Sequence, residues 1–294
     1  MIFISGANGQ LARTVISSLL EARGSDGLVV GTRDTQTPLA RELAARGVHV
    51  RHADFRDVAL MRKALQGVQK ALFIPTYDAD ELRLRQNLNA IEAAKLAGVH
   101  HVAYASFLNA ASPLVEHSRL VHYPTEQALA ASGLGYTILR HALYADLLVG
   151  DIGETLATGA FRRPGGKARC AYVARADLGY SAAQVLMRDE PSGHVYSETM
   201  EQAYSGEEVA ALMAAVFGRP VRYEPVAAAD WPHYMTSKWG VPPEISRTTL
   251  GTMQAVEAGE FDIVTGDYRS IAGRPARTLL QFLESVRNTT AGSG

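Results

Sequence analysis

The chain has 294 residues, which suggests about two domains, or one domain with a large appendage, at roughly 150 residues per domain. It is 47% apolar and 20% charged, enough to bury a sizeable core and unlike a disordered or low-complexity chain. Twenty-nine Lys and Arg residues oppose 30 Asp and Glu, a net charge of −1, so no global basic field attracts nucleic acid or an anionic membrane. The only cysteine, Cys170, excludes a disulfide framework and a thiolate metal cluster. The opening residues MIFISGANG have no basic n-region and no long apolar run, so they do not read as a signal peptide. No stretch approaches the ~18 apolar residues that span a bilayer, and a cytoplasmic protein with no membrane partner is the expectation.

Short apolar runs alternate with helical stretches along the first half. Ile2 to Ser5 reads as a strand, and Gly9 to Arg23 as a helix with Leu11, Val15, Leu19 and Leu20 at helical spacing. Strand Leu28 to Thr32 follows, then a helix from Pro38 to Arg46 with proline in its first turn. Val48 to Arg51 is the third strand, and the helix Asp57 to Leu65 ends before Gly67. Ala71 to Ile74 is the fourth strand, Glu81 to Ala97 a long helix ending at Gly98, and His101 to Ala105 the fifth strand. A helix over Pro124 to Ser132, ending at Gly133, leads to a sixth strand over Tyr136 to Leu139. This alternation predicts an α/β fold with a parallel, doubly wound sheet and right-handed crossovers.

After Gly150 the rhythm breaks. Gly159, Pro164, Gly165 and Gly166 mark a loop-like stretch, and Pro242-Pro243 another. Ala176 to Met187, Gly206 to Phe217 and Ala276 to Val286 read as helices, the first packed back on the sheet. Residues 151–294 therefore read as a smaller substrate-side region interleaved with a first domain over 1–150. The tail Thr289 to Gly294 is expected to fray.

Strand one runs into Gly6-Ala7-Asn8-Gly9-Gln10-Leu11-Ala12 and then a helix. Glycines three apart let the backbone turn tightly and approach a pyrophosphate, while the helix N-terminus offers free N–H groups and a positive dipole end. Ala12 leaves room for close helix–strand packing. Following the first strand and heading a βαβ series, the loop reads as the phosphate cradle of a Rossmann dinucleotide domain; a plain tight turn is the alternative. Gly6, Asn8, Gly9, Gln10 and Leu11 are its candidate cofactor contacts, with Pro75 and Thr76 after strand four. Strand two ends Gly31-Thr32-Arg33-Asp34. An acidic residue here would take the ribose 2′-OH of NAD, whereas Arg33, which comes first, would pair with a 2′-phosphate. The order favours NADPH, although Asp34 could reverse it. Asp54-Phe55 ends strand three where adenine would lie. The other reading makes Asp54 the cap of the next helix and Phe55 core.

In this order, these features resemble the short-chain dehydrogenase superfamily, and more narrowly its atypical NmrA-like branch, which includes bacterial quinone oxidoreductases and triphenylmethane reductases. GANGQLA is similar to the family's GxxGxxG/A, and the run Gly47 to Phe55 to a glycine-to-Asp stretch of the branch. Ala94 to Ser106, His122-Tyr-Pro-Thr-Glu126, Leu139 to Tyr144 and Ile271-Ala-Gly-Arg-Pro-Ala are similar to further segments of it. The chain departs from the branch at His141, where Asn is usual, which touches a polar contact near the nicotinamide.

Ordinary members of the superfamily protonate a carbonyl with Tyr in a YxxxK motif on the helix between strands five and six. That helix here holds His122 and Glu126, spaced i and i+4, and no Tyr–Lys pair. The one YxxxK match, Tyr234 to Lys238, lies some hundred positions past strand six and reads as chance. Reduction of a quinone leaves a weakly basic phenolate, and a triarylmethyl cation needs no proton at all, so a site without the dyad suits such acceptors. His122 could act as a general acid near neutral pH, or be a helix-capping imidazole held by Glu126. Ser106 is the second candidate catalytic residue, at a position where relatives carry Ser, Thr or Gly. Phe107, Tyr144 and Trp231 are candidate walls for a flat ligand, with core or interface roles equally open. His49 and His52, three apart on a strand, point to opposite faces, and no acid–histidine cluster forms, so no metal is expected. Cys170 reads as buried filler. The resemblance implies an NADPH-dependent oxidoreductase that passes hydride to a quinone-like or other conjugated aromatic acceptor. The alternative is a non-catalytic redox-sensing regulator that binds the dinucleotide.

Overall fold

A computed structural model of the chain describes residues 1–189 and 191–291. The first half follows the predicted alternation. The elements are β1 (Ile2–Ile4), α1 (Gln10–Arg23), β2 (Leu28–Thr32), α2 (Pro38–Ala45), β3 (His49–His52), α3 (Val58–Ala64), β4 (Lys70–Phe73), α4 (Asp80–Ala97), β5 (His101–Phe107), α5 (Tyr123–Ala130) and β6 (Gly135–His141). There follow β7 (Leu143–Tyr144), α6 (Val149–Thr158), β8 (Ala160–Arg163), β9 (Arg169–Val173), α7 (Arg175–Met187), β10 (His194–Glu198), β11 (Ala203–Ser205), α8 (Gly206–Phe217) and β12 (Arg222–Pro225). The chain closes with α9 (Trp231–Trp239), α10 (Pro243–Thr248), α11 (Leu250–Glu257), α12 (Asp267–Ala272) and α13 (Leu279–Ala291).

The chain divides into two interleaved units, and the cut expected near residue 150 is not where they part. The first comprises Met1–Ala110, His117–His141 and Arg175–Ser197; the second comprises Ala111–Glu116, Ala142–Ala174 and Glu198–Gly294. The chain leaves the first unit at Ala142 and comes back for α7 and a last strand.

In the first unit a seven-stranded sheet runs in the order β10-β6-β5-β4-β1-β2-β3. Strand β1 lies parallel between β2 and β4, with Ile2 opposite Leu28 on one side and Lys70 on the other. Such a strand is covered on both faces and reads as an unbroken apolar run, as IFI does. Its Phe3 and Ile4 are fully buried. The helices start where local chemistry tells them to: Thr37 accepts the Ala40 N–H at the head of α2 and Asp57 the Leu60 N–H at the head of α3. Helix α7 packs along α1, held by the Thr14 hydroxyl, which lies 3.1 Å from the Arg175 carbonyl. Gly179 permits that approach, since a Cβ there would strike Thr14.

Two elements of the first unit escaped the sequence pattern. A π-helical turn over Ser118–His122 runs straight into α5, where only a loop was expected. Edge strand β10, HVYSE, is half exposed and polar, so it carries no apolar run to betray it. In the second unit, β11-β9-β7 form one small sheet and β12-β8 another. Phe161, Phe261, Tyr268 and Met213 are buried there. At the C-terminus α13 runs to Ala291, and the rest of the tail expected to fray lies outside the described residues. Among the described residues no helix is long and apolar enough to cross a membrane.

Gly31 in β2 is the tightest point of the first unit's sheet. A Cβ there would overlap the Phe3 ring and come within 2.9 Å of the Ala53 Cβ. Both neighbours are core atoms with nowhere to go, so Gly31→Ala is expected to destabilise the protein by about 3 kcal/mol through overpacking. Urea unfolding at constant m-value measures this, and an unchanged midpoint refutes it.

Candidate active site

At the carboxyl end of β1 the chain turns through Gly6, whose φ of 63° suits glycine. The Gly9 N–H donates to the Gly6 carbonyl at 2.8 Å, and the Ala7 N–H to the Gly31 carbonyl at 3.0 Å. Helix α1 starts at Gln10 with Gly9 before it and no side-chain cap on its first turn. Its leading N–H groups and positive dipole end therefore face outward, as an anion site requires. A Cβ on Gly9 would sit 3.2 Å from the Gly6 carbonyl oxygen, so any side chain there presses on the turn. The Asn8 amide donates to the Thr32 hydroxyl at 3.2 Å, tying the turn to the end of β2. These features fit the pyrophosphate of a dinucleotide.

Arg33 follows β2, exposed, with no ion-pair partner among the described residues. Asp34, the residue that would have favoured NAD, has its Oδ1 taken by the Gln36 N–H at 2.7 Å. Asp54 is gripped by its neighbour: Arg56 Nε lies 3.0 Å from both carboxylate oxygens, and Nη2 2.5 Å from Oδ2. That pairing, helped by the field of Arg33, lowers the Asp54 pKa. Asp54 does not cap α3; Asp57 does. Phe55 is core, edge-on to Phe73 with centroids 5.6 Å apart. Pro75 and Thr76 are half-buried just past β4, whose end is tied to β1 by the Ile74 N–H donating to the Ser5 hydroxyl at 2.8 Å. The Thr76 hydroxyl donates to Gln86 Oε1.

The helix expected to carry an acid holds a different arrangement. Glu126 does not touch His122. It is buried and takes a two-point contact from Arg140, Nε to Oε1 at 3.0 Å and Nη2 to Oε2 at 2.6 Å. The Ser106 hydroxyl donates to the same Oε1 at 2.5 Å, so its proton is committed within the fold. Glu126 is therefore not the support of His122 that their spacing suggested. His122 ends the π-helical turn, where its neighbour is Tyr104 on β5, with hydroxyl and Nδ1 3.1 Å apart. Asn87 on α4 and Thr125 on α5 complete the group. Phe107 stands nearby, its ring centroid 6.2 Å from His122 and 5.3 Å from His117. Burial holds the His122 imidazole well below its usual pKa, and Arg83, His117 and His141 push the same way. The ring is neutral at pH 7, not the imidazolium expected of an ordinary general acid. Burial likewise raises the Tyr104 pKa, so its phenol keeps its proton.

Tyr104, Asn87, Arg83 and His117 were not singled out from sequence. An aromatic in an apolar strand reads as core. Asn87, in the middle of a long helix where Asn is unfavourable, was the one available signal.

The other expected wall residues belong to the second unit. Trp231 is buried there, stacked on Tyr234 at 5.5 Å with the Arg163 guanidinium 5.6 Å from its ring centre, while Tyr144 is half-buried in β7. The Tyr234 hydroxyl donates to Glu154 at 2.6 Å, which gives the YxxxK match a structural role. Cys170 is sealed and its thiol is pushed up to about 12, so it is no nucleophile at neutral pH. Among the described residues no group of His, Cys, Asp and Glu could hold a metal ion.

Two outcomes follow from this geometry. Gly9→Val is expected to abolish dinucleotide binding in calorimetry while the far-UV spectrum stays native, because the branched side chain fills the turn. Retained affinity refutes the cradle. Second, the unfolded chain protonates His122 near pH 6.5, whereas the folded chain resists. The stability this gives is therefore present above that pH and lost as pH falls through it. Between pH 7 and 5 the loss is expected to reach about 2 kcal/mol at most from this one group. Denaturation at both pH values checks it: His122→Gln must show a smaller loss than the wild type.

The NmrA-like family model matches residues 1–262. Quinone oxidoreductase 2 of Escherichia coli (strain K12) is 33% identical over 290 residues, 98% of this chain and 99% of the relative. Among solved structures, the Escherichia coli NADPH-dependent quinone oxidoreductase QOR2 complexed with NADPH superposes with a TM-score of 0.91 at 32% identity, covering 98% of this chain and all of that one. The Citrobacter sp. triphenylmethane reductase complexed with NADP(H) gives 0.90 at 29% identity, over 98% and 99%. With its glycine turn and β-α order intact, the chain belongs to the NmrA-like family of the Rossmann-type α/β fold.

Proposed function

We propose that the protein is an NADPH-dependent oxidoreductase that delivers hydride to a quinone-like, conjugated aromatic acceptor. The observation that carries this reading is the pairing of an intact dinucleotide cradle with a neutral His122–Tyr104 group in place of a Tyr–Lys acid. NADPH, when bound, supplies the hydride. The backbone of Gly6, Gly9, Gln10 and Leu11 holds the pyrophosphate against the start of α1, with Asn8 fixing the turn. Arg33 takes the 2′-phosphate, since Asp34 and Asp54 are engaged elsewhere. Pro75 and Thr76 border the cofactor at the end of β4. Phe107 offers a flat apolar surface beside His122. Trp231, sealed in its own cluster, supports that unit. An aliphatic ketone would leave a strongly basic alkoxide with no charged acid to meet it. A quinone leaves a phenolate that water can protonate.

Steady-state NADPH oxidation tests the reading, with quinones expected to turn over and aliphatic ketones to be poor. A dinucleotide-bound protein with no turnover on any quinone would instead be a sensor. Arg33→Ala is expected to weaken NADPH binding roughly tenfold or more, as befits loss of a hydrogen bond to a charged group at about 1.5–3 kcal/mol, and to leave NADH almost unchanged. Equal losses for both cofactors refute the 2′-phosphate assignment.

A further inference from the structure

We propose that Tyr104 is a positioning residue: its hydroxyl fixes His122 as the neutral Nε2–H tautomer, whose N–H bonds the acceptor's oxygen and selects carbonyl acceptors over cationic dyes. This rests on the functional reading above and names the acceptor class within it.

Proton counting leads to the tautomer. The Asn87 amide sends its N–H groups to two oxygens, Tyr104 and Thr125, each at 3.1 Å. The Thr125 hydroxyl gives its own proton to the Val121 carbonyl at 2.6 Å. The Tyr104 oxygen thus already accepts from Asn87; the Thr125 hydroxyl is close as well, and the ring nitrogen within reach of the Tyr104 proton is His122 Nδ1. A neutral imidazole that accepts at Nδ1 carries its hydrogen on Nε2. That nitrogen has no hydrogen-bond partner among the described residues, and it is not one of the atoms sealed from solvent. It is a donor held ready for something that arrives.

The surrounding charge sets what can arrive. Arg83, His117 and His141 are the charged or titratable groups whose fields reach His122. The carboxylates close to this group are engaged: Glu126 with Arg140, and Asp80 with Arg83 at 3.3 Å. A triarylmethyl cation finds no unpaired carboxylate beside this group among the described residues, whereas an oxygen gaining negative charge finds an N–H donor. Hydride addition to a quinone carries two electrons to the acceptor and leaves one oxyanion. The Nε2–H bond shares that charge without giving up its proton, and a proton from water completes the hydroquinone.

The test is a long-range ¹⁵N–¹H spectrum of the full chain at pH 7, with the His122 ring assigned by its loss in His122→Gln. We expect Nε2 protonated and Nδ1 bare. In Tyr104→Phe we expect the second tautomer to appear. The kcat for a neutral naphthoquinone should fall roughly tenfold, the weight of one neutral hydrogen bond, with the KM for NADPH unchanged. Turnover of a cationic triarylmethane dye should not fall, and in the wild type the quinone should exceed the dye in kcat/KM. A protonated Nδ1 in the wild type, equal losses for both acceptors, or a wild-type preference for the dye each overturns the proposal. The wild-type spectrum and selectivity decide it even if Tyr104→Phe does not fold. Because the tautomer is read without turnover, absence of all reductase activity points to failure of the functional reading and not of the tautomer.

Discussion

The buried carboxylate of Glu126 is the constraint on which the rest of the site depends. A carboxylate out of water is costly unless it is paired and hydrogen-bonded. Arg140 meets it with two N–H groups and Ser106 with a hydroxyl. Once its charge is matched in this way, Glu126 cannot serve as the anionic partner of His122. Removing Arg140 alone would leave the charge uncompensated, a change of the kind that costs about 3–5 kcal/mol. The pairing joins β5, α5 and β6.

His122 is neutral for the same reason. With no carboxylate to stabilise an imidazolium, burial wins, and Arg83 and His117 add to it. The imidazole then has to find a neutral partner, and Tyr104 supplies one. Tyrosine and histidine are both present, as they would be in a proton-donating dyad. Yet the tyrosine is sealed on a strand with its phenol held protonated, and the histidine beside it is buried and neutral. Such a site suits chemistry in which the acceptor tolerates negative charge.

The cofactor half rests on a separate constraint, close backbone approach. The turn between β1 and α1 leans on β2 through the Ala7 N–H to Gly31 carbonyl bond and through Asn8. Gly31 in turn exists because Phe3 fills the space where its side chain would be. The glycine that Phe3 requires thereby also holds the loop, through its own carbonyl at the carboxyl end of β2.

Local rules were enough to read much of this from the chain. The apolar runs, the glycine turn opening α1, Thr37 and Pro38 at the head of α2 and Gly98 after α4 are all decided within a few residues of themselves. So the α/β order of the first half and the glycine turn between β1 and α1 were legible. The ordered motifs from GANGQLA to Ile271 likewise pointed to the family. Pairing between distant side chains was not legible. The spacing of His122 and Glu126 suggested mutual contact, but a π-helical turn ends at His122, and Glu126 instead meets Arg140, fourteen residues on, across the α5–β6 connection. Tyr104 looked like any core aromatic of a parallel strand. It acquires its role only because α4 brings Asn87 and the turn brings His122 to the same hydroxyl. The return of a helix over Ala176 to Met187 to the sheet was expected, but the exit of the chain at Ala142 and the last strand β10 had no local signal, since a half-exposed polar edge strand is recognisable only once the sheet exists to receive it. Sequence by itself determined the alternating elements of the first half and where the glycine turn lies. Tertiary structure decided which buried polar groups spend their hydrogen bonds on one another, because that balance is settled by proximity in space and not by spacing along the chain.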